Sequence, residues 1–442
     1  MFCQLEALCY CFPQSVRHIL EELPEALDET YERVLRGINK ANRHHAHRLL
    51  QCLTVAIRPL RVEELAEVLA VDFTSAHGDT PKVNVDWRWE DQQNAVLFTC
   101  SNLISIVDDD GSRVVQFSHF LVKEFLTSPR LATSSADVSR YHILLAPAHT
   151  TLAQTCLGVL LQLHEGFDKD SVDGASPLAP YAAQHWVDHT QSENVASCLF
   201  LAMEHLFDPD RHHFVVWCRL HDIDSRPVPG PTFLLFALYA NPEALPLYYA
   251  ARCGFYNLVE HLTKYGQQVN AYDGYYKTPL VVALAGEHFR VARLLLRNGA
   301  AVDFRGDGEQ TPLHLAAYYG HVEMVRILLE YKSDVNSRDF MGRTPLYNAS
   351  DEDDLKPANA LQCANVVRLL LEHGADVNVR AEDGLTPLYG ASRWGTLEVA
   401  RLLLEHGANV YAEDDYGTTP LQVASEMHHD AIMNLMLDHS AK

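Results

Sequence analysis

The side chains best suited to chemistry are histidines, and they come in close sets: His44, His45 and His47, then His212-His213, then His428-His429. Imidazoles at such spacing are common zinc donors, but a zinc site also needs Cys, carboxylate or further His ligands at matching intervals. None stands near these sets, so solvated or capping roles are expected for them. Ten cysteines are scattered along the chain, and only Cys9 and Cys11 lie close together. That pattern fits reduced thiols rather than a disulfide framework or a metal ribbon. The run Asp351-Glu352-Asp353-Asp354 has the composition of a calcium loop but lacks the central Gly and closing Glu, and a solvated loop is expected. No G-x-S-x-G elbow and no H-E-x-x-H pair is present. Nor does Gly-Lys occur anywhere, so the backbone cradle and lysine that hold nucleotide phosphates are missing. These observations predict a chain with no catalytic centre, no cofactor and no metal, unable by itself to bind or hydrolyse ATP.

What remains is contact chemistry, and its candidates fall in register. Thr278, Thr311, Thr344, Thr386 and Thr419 each open a Thr-Pro-Leu tripeptide. Successive intervals are 33 residues, except for 42 between Thr344 and Thr386. Leu245-Pro246-Leu247 stands one further step back. Threonine can cap a helix through its hydroxyl, and proline at the first helical position loses no hydrogen bond. Leu313, Ala316 and Ala317 then form a small apolar face, Gly320 ends the helix, and Val322, Val325, Ile327, Leu328 and Leu329 recur at helical spacing in a second one. Gly299-Ala300, Gly374-Ala375 and Gly407-Ala408 end second helices alike. A fixed period of 33 opened by T-P-L-H resembles the ankyrin repeat. The resemblance implies six repeats over about 241–272, 273–305, 306–338, 339–380 with a nine-residue insertion, 381–413 and 414–442.

Such repeats stack into a solenoid with a concave binding face, and that face is where a protein ligand is expected. Candidate contact residues at first-helix ends are Tyr318, Tyr319, Arg393, Trp394 and Met427; at the turn tips they are Tyr275, Tyr276, Phe340, Met341 and Tyr416. The first set is expected beside the tips. Aromatic rings and arginine dominate protein interfaces. Each ring either serves that surface or fills a gap between repeats.

Length and charge bound the rest. The 442 residues carry 58 acidic against 35 basic side chains, a formal charge of −23, with 48% apolar residues available for cores. From residue 241 onward 27 acidic residues stand against 17 basic ones. Such a surface repels phosphate backbones and anionic lipid. No apolar run reaches the length needed to span a bilayer, and the N-terminus lacks a basic signal region. A cytoplasmic or nuclear protein is expected, with no nucleic-acid or membrane partner; its oligomeric state is left open.

The first 240 residues read as helices interrupted once. Helices are expected over 1–57 with breaks at Pro13 and Pro24, then over Glu63–Val71 and Asp91–Cys100. Leu103–Val107 and Val114–Phe117 read as a hairpin around Asp108-Asp109-Asp110-Gly111, and His119–Leu126 as a closing helix. Three helices and a two-stranded wing make the winged-helix layout. DNA reading is disfavoured, because the presumed recognition helix carries no Lys or Arg and the wing tip is three aspartates. Three phrases, LPEALDETYERVLRGINKA, LLQCLTVAIRPLRVEELAEVLAVDF and VVQFSHFLVKEFLTSPRL, resemble fungal NACHT-type signal-transduction ATPases, which are NLR-like proteins. The resemblance implies C-terminal helices of a NACHT module over 1–42, a winged helix over 43–130 and a helical spacer with linker over 131–240. Ser225–Pro231 reads as the linker. It also maps a histidine that contacts the β-phosphate of ADP onto His119, a role that needs an ATPase domain; Ser118 and Phe120 depart from the flanking Met and Asp. The expected fold is mainly α, with a winged helix, a spacer and an ankyrin solenoid. The expected function is a non-enzymatic interaction scaffold with the repeats as ligand sensor. The alternative is the regulatory half of a NACHT ATPase switch whose nucleotide-binding domain is absent from this chain.

Overall fold

The computed structural model describes residues 28–73, 81–100, 103–109, 111–164, 176–192, 194–221, 223, 245–272, 277–351 and 360–440. The chain divides into two compact units, Met1–Pro242 and Glu243–Lys442. The helices expected before residue 28 and the Ser225–Pro231 linker lie outside the described residues.

In the first unit, α1 (28–37) buries Tyr31 and Leu35, and α2 (Arg43–Val55) buries Ala46, Leu49, Leu50 and Val55 on one face. Strand β1 (Leu60–Arg61) runs straight into α3 (Val62–Glu67). Strands β2 (Val71–Asp72) and β3 (Lys82–Val83) form a small antiparallel pair before α4 (Gln92–Cys100). The wing itself is β4 (Ile104–Asp109) against β5 (Ser112–Phe117), with Ile106 opposite Val115. Here the structure corrects the two-stranded expectation. β1 pairs with β5, Leu60 opposite Val115, giving a three-stranded sheet of order β1-β5-β4. Leu60 is fully buried, so a segment too short to read as a strand is held there by its side chain.

Two buried carboxylates fasten α3. Glu64 receives Arg58 at 2.7 and 2.8 Å and the Arg61 backbone N–H at 2.8 Å. Glu67 is gripped by Arg88, whose Nε lies 2.9 Å from Oε2. Burial pushes the Glu64 carboxyl up, but its arginine and backbone donors hold it below the usual carboxylate range. Removing one partner of such a pair costs about 3–5 kcal/mol, because the other is left as an uncompensated buried charge.

After the wing come α5 (Leu121–Thr127) and the short α6 (Pro129–Thr133) and α7 (Ala136–Ser139). Helix α8 (Leu145–Leu160) packs against both α2 and α9 (Ala179–Thr190), so winged helix and spacer share one core. Short α10 (Val195–Cys198) precedes α11 (Phe200–Leu206) and α12 (His213–Leu220). Around these helices Trp186, Phe207, Phe214 and Trp217 close an aromatic cluster, with Trp186 and Trp217 edge to face at 5.3 Å.

Among its described residues the second unit holds six helix pairs: α13 (Pro246–Arg252) with α14 (Tyr256–Lys264), α15 (Pro279–Ala285) with α16 (Phe289–Arg297), and α17 (Pro312–Tyr318) with α18 (Val322–Glu330). Then follow α19 (Pro345–Ser350) with α20 (Ala360–Glu372), α21 (Pro387–Trp394) with α22 (Leu397–Glu405), and α23 (Pro420–Glu426) with α24 (Asp430–Ser440). Helices of seven residues are unstable alone, so stacking must hold them. Leu313, Ala316 and Ala317 are completely buried, as are Val325 and Leu328 behind them. The hydroxyls of Thr278, Thr344, Thr386 and Thr419 each accept the N–H three residues on, at 3.3 Å. At Thr311 the backbone N–H instead donates to His314 Nδ1 at 3.2 Å, while His314 Nε2 reaches the Arg343 carbonyl at 3.0 Å in the next turn. Burial pushes the His314 imidazole below its ordinary range, consistent with this neutral bridging form.

Candidate interaction surface

Three ladders bind one repeat's turn to the next and so fix the turn tips. Asn270, Asn336 and Asn378 each donate to a glycine carbonyl, of Gly299, Gly374 and Gly407, at 3.1, 3.3 and 3.1 Å. Each also accepts an N–H, from Ala301, Asp376 and Asn409, at 2.7 to 2.8 Å. Arg305 donates to the Arg338 carbonyl at 2.9 Å, Arg338 to that of Arg380 at 3.2 Å, and Arg380 to that of Glu413. At the tips Phe340 N–H donates to Gly308 O at 3.0 Å, Glu382 N–H to Met341 O at 2.9 Å, and Asp415 N–H to Asp383 O at 3.3 Å. Inside two tips an aspartate closes the turn: Asp339 accepts from Met341 and Arg343, and Asp414 from Tyr416 and Thr418.

On this scaffold the candidate residues form two rows. The tip row holds Phe340 at 59% exposure, Tyr416 at 91% and half-buried Met341. Tyr275 and Tyr276 lie outside the described residues. The other row sits where first helices end. Half-buried Tyr318 meets exposed Tyr319 edge-on at 5.2 Å, the Arg393 guanidinium lies 5.3 Å from the Trp394 ring, and Met427 is exposed. Tips precede the Thr caps, whereas these residues close the helices. The rows are therefore about 10 Å apart, one seven-residue helix, rather than side by side. Trp394 is also a stacking residue: half-buried, it donates its indole N–H to Asp351 of the preceding repeat at 2.7 Å. Asp351 is thus a partnered, half-buried residue, and the solvated-loop expectation does not hold for it; residues 352–359 lie outside the described ones.

The sequence reading missed Tyr272 and Tyr411, exposed at 58% and 63%, and the arginine ladder. Arg305, Arg338 and Arg380 recur at the same 33- and 42-residue steps as the Thr-Pro-Leu tripeptides, a signal that would have found them. These arginines stay exposed and charged while bonding backbone carbonyls, and Arg305 also pairs with Glu309 at 3.0 Å; exposed Glu382, Glu413 and Asp415 add carboxylates beside them.

The other candidates are placed individually. His119 is half-buried at the end of the wing; its Nδ1 accepts the Leu121 N–H at 3.2 Å and its ring stacks on Phe120 at 4.5 Å. Nε2 is the nitrogen left for any further contact. His212 bonds the Leu163 carbonyl at 2.9 Å, and His429 that of Ser392 at 2.9 Å. Among the described residues no three His, Cys, Asp or Glu side chains converge as a metal site, and no helix is long and apolar enough to cross a membrane.

Helix pairs in a 33-residue register, joined tip to tip and carried in a chain with a winged-helix unit, define an ankyrin-repeat protein with a winged-helix domain. Comparison with known proteins agrees on both parts. A family model for ankyrin repeats matches residues 301–381 and 358–442, and one for the winged helix domain of GPI inositol-deacylase matches 31–137. The chain is 31% identical over 300 residues to azaphilone pigments biosynthesis cluster protein L of Monascus ruber, an alignment covering 64% of this chain and 61% of that one. Over 65 residues it is 48% identical to a putative ankyrin repeat protein of Rickettsia felis, covering 14% of this chain and 29% of that one. The chain thus matches less than two thirds of the length of either relative. Among solved structures, an ankyrin repeat domain from Acinetobacter baumannii is 28% identical, with a TM-score of 0.40, covering 44% of this chain and 97% of that one.

Proposed function

We propose that this protein is a non-enzymatic interaction scaffold whose ankyrin tips and first-helix ends capture a protein carrying a basic segment. The single observation behind this reading is the tip row: Phe340 and Tyr416 are exposed on turns that are hydrogen-bonded to the neighbouring tip and closed by Asp339 and Asp414. The Phe340 ring rests one edge over Gly308 of the preceding tip, but most of both rings is left in water, and a partner is the physical reason to keep them there. Carboxylates around the tips favour a cationic partner, with the rings available for cation–π contact. The winged-helix unit is the part that relays occupancy in this reading, as in an NLR-like signalling protein, and the setting is cytoplasmic or nuclear.

The test compares the wild type with the Phe340→Ala/Tyr416→Ala double variant in affinity capture, followed by titration of the captured protein in purified form. The variant is expected to lose on the order of 2 kcal/mol of binding while melting within about 0.5 kcal/mol of the parent. Equal capture by both proteins would refute the tip surface.

A further inference from the structure

The first unit contains a cleft that the interaction surface does not use. It has a volume of about 550 Å³ and opens between the start of α2, the end of β2 and the segment carrying Trp87 and Trp89. That volume lies in the range of small-molecule sites, about 300–1,000 Å³. Trp87 is 45% exposed and Trp89 52%, and Phe73 lines the same wall. Two indoles half open to water on one wall are an unused aromatic surface, suited to a flat apolar ring.

The polar lining sets the charge of the guest. Arg48 is buried, donates to the Val71 carbonyl at 3.1 Å and lies 4.0 Å over the Phe73 ring; Asp72 stands beside it as the opposite charge. The two formal charges of the lining therefore offset each other. Arg48 Nη2 lies 3.4 Å from His44 Nδ1, which must accept, so that imidazole is neutral with its proton on Nε2. Burial and the Arg48 charge push both His44 and His45 below their ordinary range, in keeping with a neutral wall. Asn42 lines the mouth and makes no cap bond to α2, which leaves its carboxamide as both donor and acceptor.

We propose that this cleft binds an uncharged, planar aromatic small molecule bearing a hydroxyl or carbonyl group. Its ring stacks on the Trp87–Trp89 wall, and its oxygen meets Asn42 and the His44 Nε2–H. An ionic guest would find no uncompensated charge to pair with.

The chain has five tryptophans, so indole resonances of a ¹⁵N-Trp-labelled sample report each site separately, assigned with Trp87→Phe and Trp89→Phe. With 2-naphthol as the probe, the Trp87 and Trp89 signals are expected to shift saturably while those of Trp186, Trp217 and Trp394 stay. Trp89→Ala should weaken the probe at least tenfold. Ala41→Phe, at an exposed lining position, should abolish binding without altering the melt. The proposal is overturned by no saturable shift up to the probe's solubility, by equal shifts of all five indoles, or by undiminished binding to Ala41→Phe. Naphthalene-2-sulfonate binding as tightly as 2-naphthol would overturn the preference for an uncharged guest.

Discussion

Acidification should loosen the first unit at one identifiable place, where Tyr181, His189 and His149 form a buried relay. The Tyr181 hydroxyl accepts the Ile57 N–H at 3.2 Å and lies 2.9 Å from His189 Nε2; His189 Nδ1 lies 3.0 Å from His149 Nδ1. The chain closes without an orphan proton when Tyr181 donates to His189 and His189 donates to His149. It ties α8 and α9 to the residues just before β1. His189 is fully buried, and desolvation first, then repulsion from His149, pushes its imidazole down to about 4; Asp188 offsets part of that. His149 is lowered as well, by burial and by Lys123.

The sign follows from linkage. The unfolded chain takes up this proton below about pH 6.5 while the folded one resists it to about pH 4. The contribution is therefore complete above pH 6.5, declines as pH falls from 6.5 to 4, and changes no further below that. At 1.36 kcal/mol per unit, the loss between pH 8 and pH 5 is about 2 kcal/mol for His189 alone, with a ceiling of about 3 kcal/mol. Urea unfolding followed by near-UV circular dichroism of the Trp186–Trp217 pair reads this unit. His189→Gln keeps an acceptor for Tyr181 without a titrating ring, so the wild-type-minus-variant stability difference should shrink by about 2 kcal/mol on going from pH 8 to pH 5. A difference that stays constant across that range would refute the assignment, whatever the other histidines do.

Three further outcomes are expected. Asp351→Ala, which strips Trp394 of its acceptor, should destabilise the repeats by about 1.5–3 kcal/mol, whereas deleting 352–359 alone should cost about 0.6 kcal/mol or less; urea unfolding of both variants separates the anchor from the insertion. His314→Ala removes the bridge between two repeats and leaves a void, and should cost about 2–4 kcal/mol by thermal denaturation. Calorimetry with ATP and magnesium should show no saturable heat, since no Gly-Lys-Ser/Thr cradle exists in the chain.

The repeats were legible because each rule that builds them is local and is written several times. Threonine before proline marks a helix start wherever it stands, and Gly254, Gly320 and Gly395 end first helices at φ between 67° and 78°. Two repeats break that rule, with Glu287 and His428 in the glycine's place. The backbone still turns left-handed there, at φ 57° and 59°, so stacking sustains a conformation that costs an ordinary residue about 1–2 kcal/mol. Period therefore proved a better guide than any one residue type.

What the sequence hid depends on partners far apart in the chain. β1 is two residues that read as the lead into a helix, and only Val114 and Val115, some fifty positions on, make them a strand. Trp394 reads equally as an interface ring or as a filler between repeats until Asp351 is found beside it. The same separation governs charge. Arg305, Arg338 and Arg380 are unremarked cations in the sequence, and only the structure shows each reaching along the solenoid onto the next repeat's carbonyl. They tie the stack together while remaining exposed and charged, and Arg305 pairs with Glu309 as well. The tips therefore carry both signs, and a cationic partner is favoured by the excess of carboxylates over arginines there, not by the direction of any hydrogen bond.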